Sequence, residues 1–338
     1  MKFQQKLFRM SRGTKKLLGI LFIFGLGFLA GWLTLVTYVT RPSVTESGIR
    51  VKGDYRLISP LLLCSSTETT NVAPYQSLEQ KIQSLVTAAK NTGNVSDVSV
   101  YFRDFKGNWL DINGVEQYAP ASLLKVPIMI AYLKASESNP SILTQQLTYN
   151  GLNDENDAET FATSSDLTPG TYTIDQLLKA MIVYSDNNAA TLLYNNMNKD
   201  WLSEVYSDLG LTLTPGGSAD TQNITAKQYS YFFRILYNAT YLTPADSEKA
   251  LDLLTGPDFP QGMESTVPSD VPVANKFGER TLLTPAGVVL QRELHDCGII
   301  YAPSGPYLLC IMTRGKDFPS LVSVIDSISS TVYQAITK

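Results

Sequence analysis

Histidine and cysteine are scarce in this chain, with one histidine and three cysteines among 338 residues. The lone His295 and the scattered Cys64, Cys297 and Cys310 make no ligand cluster of the kind a metal site needs, so neither a metal nor another cofactor is expected. Three cysteines are too few for a disulfide scaffold, and the odd count leaves at least one outside any internal bridge. Cys297 and Cys310 lie on consecutive apolar runs that read as a hairpin, where a bridge and two buried thiols both remain open. His295 is adjacent to Asp296, but no Gly-x-Ser-x-Gly elbow exists, so a Ser-His-Asp hydrolase is unsupported and His295 reads as a satisfied strand histidine. Acids are missing altogether from residues 1–41, which carry seven basic side chains; of a net charge of −4, the rest of the chain therefore holds −11. An acidic body excludes nucleic acid as a partner, since that needs a basic footprint. Internal repeats and low-complexity blocks are absent too, which with 44% hydrophobic residues reads as one sizeable domain plus appendages.

Charge is also missing from Leu17 to Thr40, an apolar run of 24 residues preceded by six bases. That length matches the ~20 residues a helix needs to cross a bilayer. The positive-inside rule then assigns residues 1–16 to a cytoplasmic basic tail, 17–40 to a single transmembrane helix, and everything beyond Arg41 to the outer side. A cleaved signal peptide is the runner-up, but the run is long for one and no clear Ala-x-Ala site follows. Residues 41–74 read as a linker with an extended apolar segment, Asp54–Cys64, lying against the domain.

The folded domain, 75–338, opens with a helix over Leu78–Lys90 and two short strands, Val98–Phe105 and Trp109–Ile112. Leu143–Thr171 is polar, and Asp154, Glu155, Asp157 and Glu159 lack the ligand-and-glycine order of a calcium loop, so a solvated loop is expected. Helical periodicity covers Ile174–Tyr184, Asn187–Met197, Ala226–Tyr237 and Glu248–Leu254. Strands follow over Val271–Phe277, Ala286–Arg292, Cys297–Tyr301 and Tyr307–Met312, then a final helix, Ser320–Ile336. Strands at both ends with helices between predict an α/β (α+β) fold, an antiparallel sheet built from both ends of the domain and flanked by helices.

Three motifs carry chemistry. Ser122-Leu-Leu-Lys125 stands where a turn enters the apolar helical run Ile128–Leu133, so the two side chains share a face one turn apart. A serine hydroxyl is a poor nucleophile unless a base takes its proton, and a partly desolvated lysine within reach serves. Ser185-Asp186-Asn187 sits between two helical segments, where a bend can push polar groups into a cleft, although all three residue types also favour helix N-caps. Lys276-Phe277-Gly278-Glu279 reads as a strand whose glycine permits close approach by a ligand, with Lys276 placed to attract an anion and to depress the pKa of Lys125.

In this order, on helix, inter-helix bend and strand, the three resemble the motif set of the serine β-lactamase and penicillin-binding superfamily, and class A β-lactamases most closely. The resemblance covers Tyr75–Lys338 and includes Leu294-His-Asp-Cys-Gly-Ile-Ile-Tyr301. It implies that Ser122 is acylated, Lys125 activates it, Ser185 relays a proton, and Asn187 and Lys276 contact the substrate. The N–H groups of Ser122 and of Glu279, just after Gly278, would form the oxyanion hole. Two departures stand out. Phe277 replaces the usual Thr or Ser that helps hold a substrate carboxylate, with Arg280 as a substitute. No Glu-x-x-Leu-Asn lies between Asn187 and Thr225 to activate a deacylating water, and Asp220 is the one acid after Asp208 in that interval. The expected partner is a β-lactam or a peptidoglycan peptide. The expected activity is β-lactam opening with slow deacylation, against a D-alanyl-D-alanine peptidase or a penicillin-binding sensor that does not turn over.

Overall fold

The computed structural model describes residues 54–59 and 73–338, except 153–154, 157–159, 162–166, 214, 216–221 and 257–258, together with Gly25, Gly27 and Gly31. The chain divides into Met1–Ile49 and Arg50–Lys338. In the first unit the three described glycines are helical. Among the described residues no helix is long and apolar enough to cross a membrane. The rest of the 17–40 run expected to do so lies outside them.

In the second unit, α1 (Gln76–Asn91) precedes β1 (Val95–Asp104) and β2 (Trp109–Ile112). A 3-10 turn, Ala121–Leu124, leads into α2 (Lys125–Ser138), followed by the short pair β3 (Gln146–Tyr149) and β4 (Gly170–Thr173). Then come α3 (Ile174–Val183), α4 (Asn187–Asn196), α5 (Lys199–Asp208), α6 (Ala226–Tyr237) and α7 (Pro244–Leu254). The chain closes with β5 (Val273–Leu283), β6 (Val289–Ile300), β7 (Tyr307–Gly315) and α8 (Phe318–Ile336). The main sheet runs β2-β1-β7-β6-β5, antiparallel throughout, so the first strand of the domain pairs with the last.

Alternation along the strands splits the core in two. Leu308, Cys310 and Met312 of β7 face one cluster with Tyr101 and the helices α2 to α7, while Tyr307, Leu309 and Ile311 face a second with Val100, Phe102, Ile82 of α1 and Ile325 of α8. A strand covered on both faces buries nearly every residue, which is why Tyr307–Met312 of β7 reads as a continuous apolar run rather than an alternating one. Each such side chain contributes roughly 1.5–3 kcal/mol when fully buried, enough to pin the helices on both faces. The helix α2 is buried almost all round from Val126 to Leu133, so its N-terminus is fixed by packing on every side.

Several boundaries differ from the sequence reading. The expected strands Ala286–Arg292 and Cys297–Tyr301 are one strand, β6, because its polar middle is paired: Glu293 with Arg314, His295 with Ala119, and Asp296 with Asn275 and the Met263 N–H. The polar stretch 143–171 contains β3, and β4 begins at its end. Residues 54–59 dock on the domain but bend, because the Glu248 carboxylate accepts the successive N–H groups of Arg56, Leu57 and Ile58. Cys297 and Cys310 stand directly opposite on β6 and β7, Cα atoms 3.9 Å apart, and form a disulfide.

Candidate active site

Ser122 lies on the 3-10 turn, and Lys125 is the first residue of α2. Ala121 is left-handed (φ 50°), a conformation a non-glycine residue holds only when its surroundings impose it. They do so here. His295, on β6, brings Nε2 to 3.1 Å from the Ala119 carbonyl, and Tyr229 of α6 donates its hydroxyl to the Leu123 carbonyl at 2.9 Å. Pro127, third in α2, falls where an N–H has no intrahelical partner, so its missing donor costs nothing.

The glycine of the β5 motif has a different use from the one expected. A Cβ on Gly278 would come to 2.9 Å from the Pro120 carbonyl and 3.1 Å from the Leu123 N, so the close approach it permits is by the turn that carries Ser122. This packing sets β5 against the Ser122 turn, with the Glu279 N–H just beyond.

Ser185 follows α3 and is also left-handed (φ 54°), with its side chain almost wholly buried. Asp186 supplies the N-cap of α4, accepting from the Ala189 N–H at 2.8 Å. Capping thus falls to Asp186, while the residues on either side of it, Ser185 and Asn187, turn toward Lys125. The bend brings Ser185 and Asn187 to Lys125, whose Nζ donates to the Ser185 carbonyl, to Ser185 Oγ at 3.1 Å and to Asn187 Oδ1 at 2.6 Å. From the strand side, Lys276 Nζ donates to the same Ser185 Oγ at 2.9 Å and to the Phe277 carbonyl at 3.1 Å. Both lysines are buried, Lys276 completely. One hydroxyl thus bridges two amines on different elements.

Ser122, Lys125 and Asn187 open onto a cleft of about 410 Å³ that continues to Thr191 and Tyr194 of α4, Tyr206 of α5, and Gln222. Among the described residues lining it there is no carboxylate. Asp220 lies outside the described residues. Tyr194 and Tyr206 carry no signal in the sequence, since aromatic residues at helical spacing read as core, and Gln222 belongs to no motif.

At the other end of the site, Phe277 is buried, its ring stacked on Phe259 (centroids 4.1 Å apart) and centred 4.2 Å from Lys276 Nζ. Arg280, expected to replace the missing hydroxyl, instead faces Glu293 on β6 at 3.7 Å, in a pair shared with Arg314. His295 accepts from the Thr313 N–H at Nδ1, and its role is to hold the backbone before Ser122. Of the acidic loop, Glu155 acts through its backbone: its carbonyl accepts from Asn187 Nδ2 at 3.0 Å, and its N–H donates to Asn188 Oδ1 at 2.9 Å.

Solved structures similar to this chain share its fold at low identity. PBP-A is 21% identical with a TM-score of 0.64, over 77% of this chain and 96% of that one. A mutant of PBP-A, solved as its acyl-enzyme complex with penicillin-G, is 22% identical (TM-score 0.63, 77% and 96% covered). A representative of class A beta-lactamase from Bacteroides cellulosilyticus DSM 14838 is 20% identical (TM-score 0.63, 79% and 99% covered). No curated protein matches the sequence. The model of the beta-lactamase enzyme family matches residues 77–336, a span that holds all three motifs and every strand of the main sheet, and on that ground the chain belongs to this family.

Proposed function

We propose that this protein is a membrane-anchored, extracytoplasmic serine acyl-transfer enzyme that opens the amide of a β-lactam through an acyl-enzyme on Ser122 and releases the product slowly. The observation that carries the reading is the shared Ser185 hydroxyl, 3.1 Å from Lys125 Nζ and 2.9 Å from Lys276 Nζ, with Lys125 and Ser122 lining one cleft. Lys125 reacts in its neutral form, with one of the three bonds it donates here given up to free a lone pair, and takes the Ser122 proton as Oγ attacks the lactam carbonyl. The oxyanion sits between the N–H groups of Ser122 and Glu279, fixed donors that need no reorganisation as charge develops. The proton then passes through Ser185 Oγ to the leaving nitrogen, which breaks the C–N bond and leaves an ester on Ser122. Asn187 and Lys276 hold the donor. The penicillin-G acyl-enzyme of the PBP-A mutant supports a β-lactam as acyl donor.

Slow release is supported by the cleft, whose described lining offers no carboxylate to activate a water. The same observation favours, as a second reading, a penicillin-binding peptidase or sensor for which the β-lactam is an inhibitor. An outer location is supported by the uncharged run 17–40 behind its basic cluster and by the Cys297–Cys310 bond, which oxidising compartments sustain. Labelled penicillin tests the site. It should attach to the native chain, fail to attach to Ser122→Ala, and attach far more slowly to Lys125→Ala; undiminished labelling of Ser122→Ala would put the nucleophile elsewhere.

A further inference from the structure

Two short stretches of the chain, 155–156 and 160–161, meet the two walls of the site. On the helical wall, Asn187 N–H donates to Asn156 Oδ1 at 2.8 Å, beside the two Glu155 backbone bonds to Asn187 and Asn188. On the strand wall, the Glu279 carboxylate accepts from the Thr160 N–H (3.0 and 3.1 Å) and from the Phe161 N–H (2.9 Å). Two backbone donors on one carboxylate are charge-assisted bonds, stronger than neutral ones. They seat the Phe161 ring among Phe259, Phe277 and Phe318, at centroid distances of 5.2, 6.3 and 5.3 Å in edge-on contacts. The Phe277 ring is the one that borders Lys276 Nζ. β5 is an outermost strand of the sheet, and an outermost strand is where an extended peptide adds by backbone pairing.

A compact bicyclic donor needs only the cleft beside Ser122, Lys125 and Asn187. An extended donor lying along β5 past Gly278 meets Glu279 with Thr160 and Phe161 already on it. Building on the acyl-transfer reading, we propose that Glu279 and Phe161 form a size-selective latch: while closed, Ser122 takes compact donors, and extended ones enter only when the two N–H bonds to Glu279 exchange. The Glu279 side chain is then a specificity determinant, separate from the oxyanion role of its backbone N–H.

Access can be measured without assuming acylation. In the full chain carrying Cys64→Ser and Ser122→Cys, the Cys297–Cys310 bond leaves position 122 as the one free thiol. Its alkylation rate is followed with iodoacetamide and with a fluorescein maleimide. Phe161→Ala, which removes three ring contacts but keeps the N–H bond, and, separately, Glu279→Ala, which gives up the bonds to a charged acceptor, should each raise the bulky-to-small rate ratio about tenfold. Glu279→Gln, which keeps one acceptor oxygen, should fall between, and the double alanine variant should match the larger single one because both residues hold the same loop. An unchanged ratio in Phe161→Ala and Glu279→Ala, with iodoacetamide still reacting at its original rate, would overturn the latch. Failure of penicillin to label native Ser122 would overturn the acyl-transfer reading alone, since the thiol ratio reports access whatever the reaction.

Discussion

Two neighbouring residues of β6 give stability a pH dependence that is nearly hidden in the native chain. Burial lowers the His295 pKa from 6.5 to about 4, with the Arg314 charge acting in the same direction and the Ala119 carbonyl against it. Burial raises the Asp296 pKa from 3.8 to about 6, against the Met263 N–H, Asn275 and Lys276. For His295 the unfolded chain binds the extra proton, so stability is lost as pH falls from 6.5 to 4. For Asp296 the folded chain holds the proton, so stability is present at low pH and lost as pH rises from 3.8 to 6. At about 1.4 kcal/mol per pH unit, each contributes about 3 kcal/mol with opposite sign. The two nearly cancel. Each single variant should therefore unmask the other. In His295→Gln, stability relative to native should rise by about 3 kcal/mol as pH is lowered from 6.5 to 4; in Asp296→Asn it should fall by about as much. Urea unfolding across that range, variant minus native, cancels every other carboxylate. A difference that stays constant with pH in both variants would refute the assignment of these two protonation states.

Three further outcomes follow from the site. Lys125→Ala should slow penicillin acylation by about 10²–10⁴-fold, the usual weight of a positioned base, and should also lower stability because Ser185 and Asn187 lose a buried donor; stopped-flow labelling and urea melts read the two effects. Gly278→Ala would press a methyl group on the Pro120 carbonyl, so the acylation rate should drop by about tenfold or more through displacement of the Ser122 turn, while an unaltered rate would mean that β5 does not support the turn. Tyr229→Phe leaves the buried Leu123 carbonyl without its hydroxyl donor and should cost about 1–3 kcal/mol in urea unfolding.

The sheet and most helices were legible because apolar periodicity fixes which face is buried, as in α6, whose limits match the pattern Ala226–Tyr237 residue for residue. Polar residues buried by long-range partners are invisible to that periodicity. The middle of β6 looks like a break until Arg314 and Ala119 arrive from elsewhere in the chain. Helix α5 gives no clear periodic signal, because its mixture of Lys199, Asp200, Ser203 and Glu204 hides an apolar stripe of Leu202, Val205 and Tyr206. Within the site, the three motifs were visible as short spacings. The hold of Glu279 on Thr160 and Phe161 was not, since a strand glutamate and a loop phenylalanine 118 positions apart share no local pattern.

Time-resolved mass spectrometry of the full chain after addition of penicillin tests the central proposal most directly, because it reports acylation and release together. If Ser122 is acylated and no positioned carboxylate serves the water, one acyl group per chain should appear in a burst on the Ser122 peptide and persist, with Asp220→Asn changing its slow loss little. Rapid steady hydrolysis with no accumulating adduct, collapsing in Asp220→Asn, would contradict this and make Asp220 the base of an efficient β-lactamase.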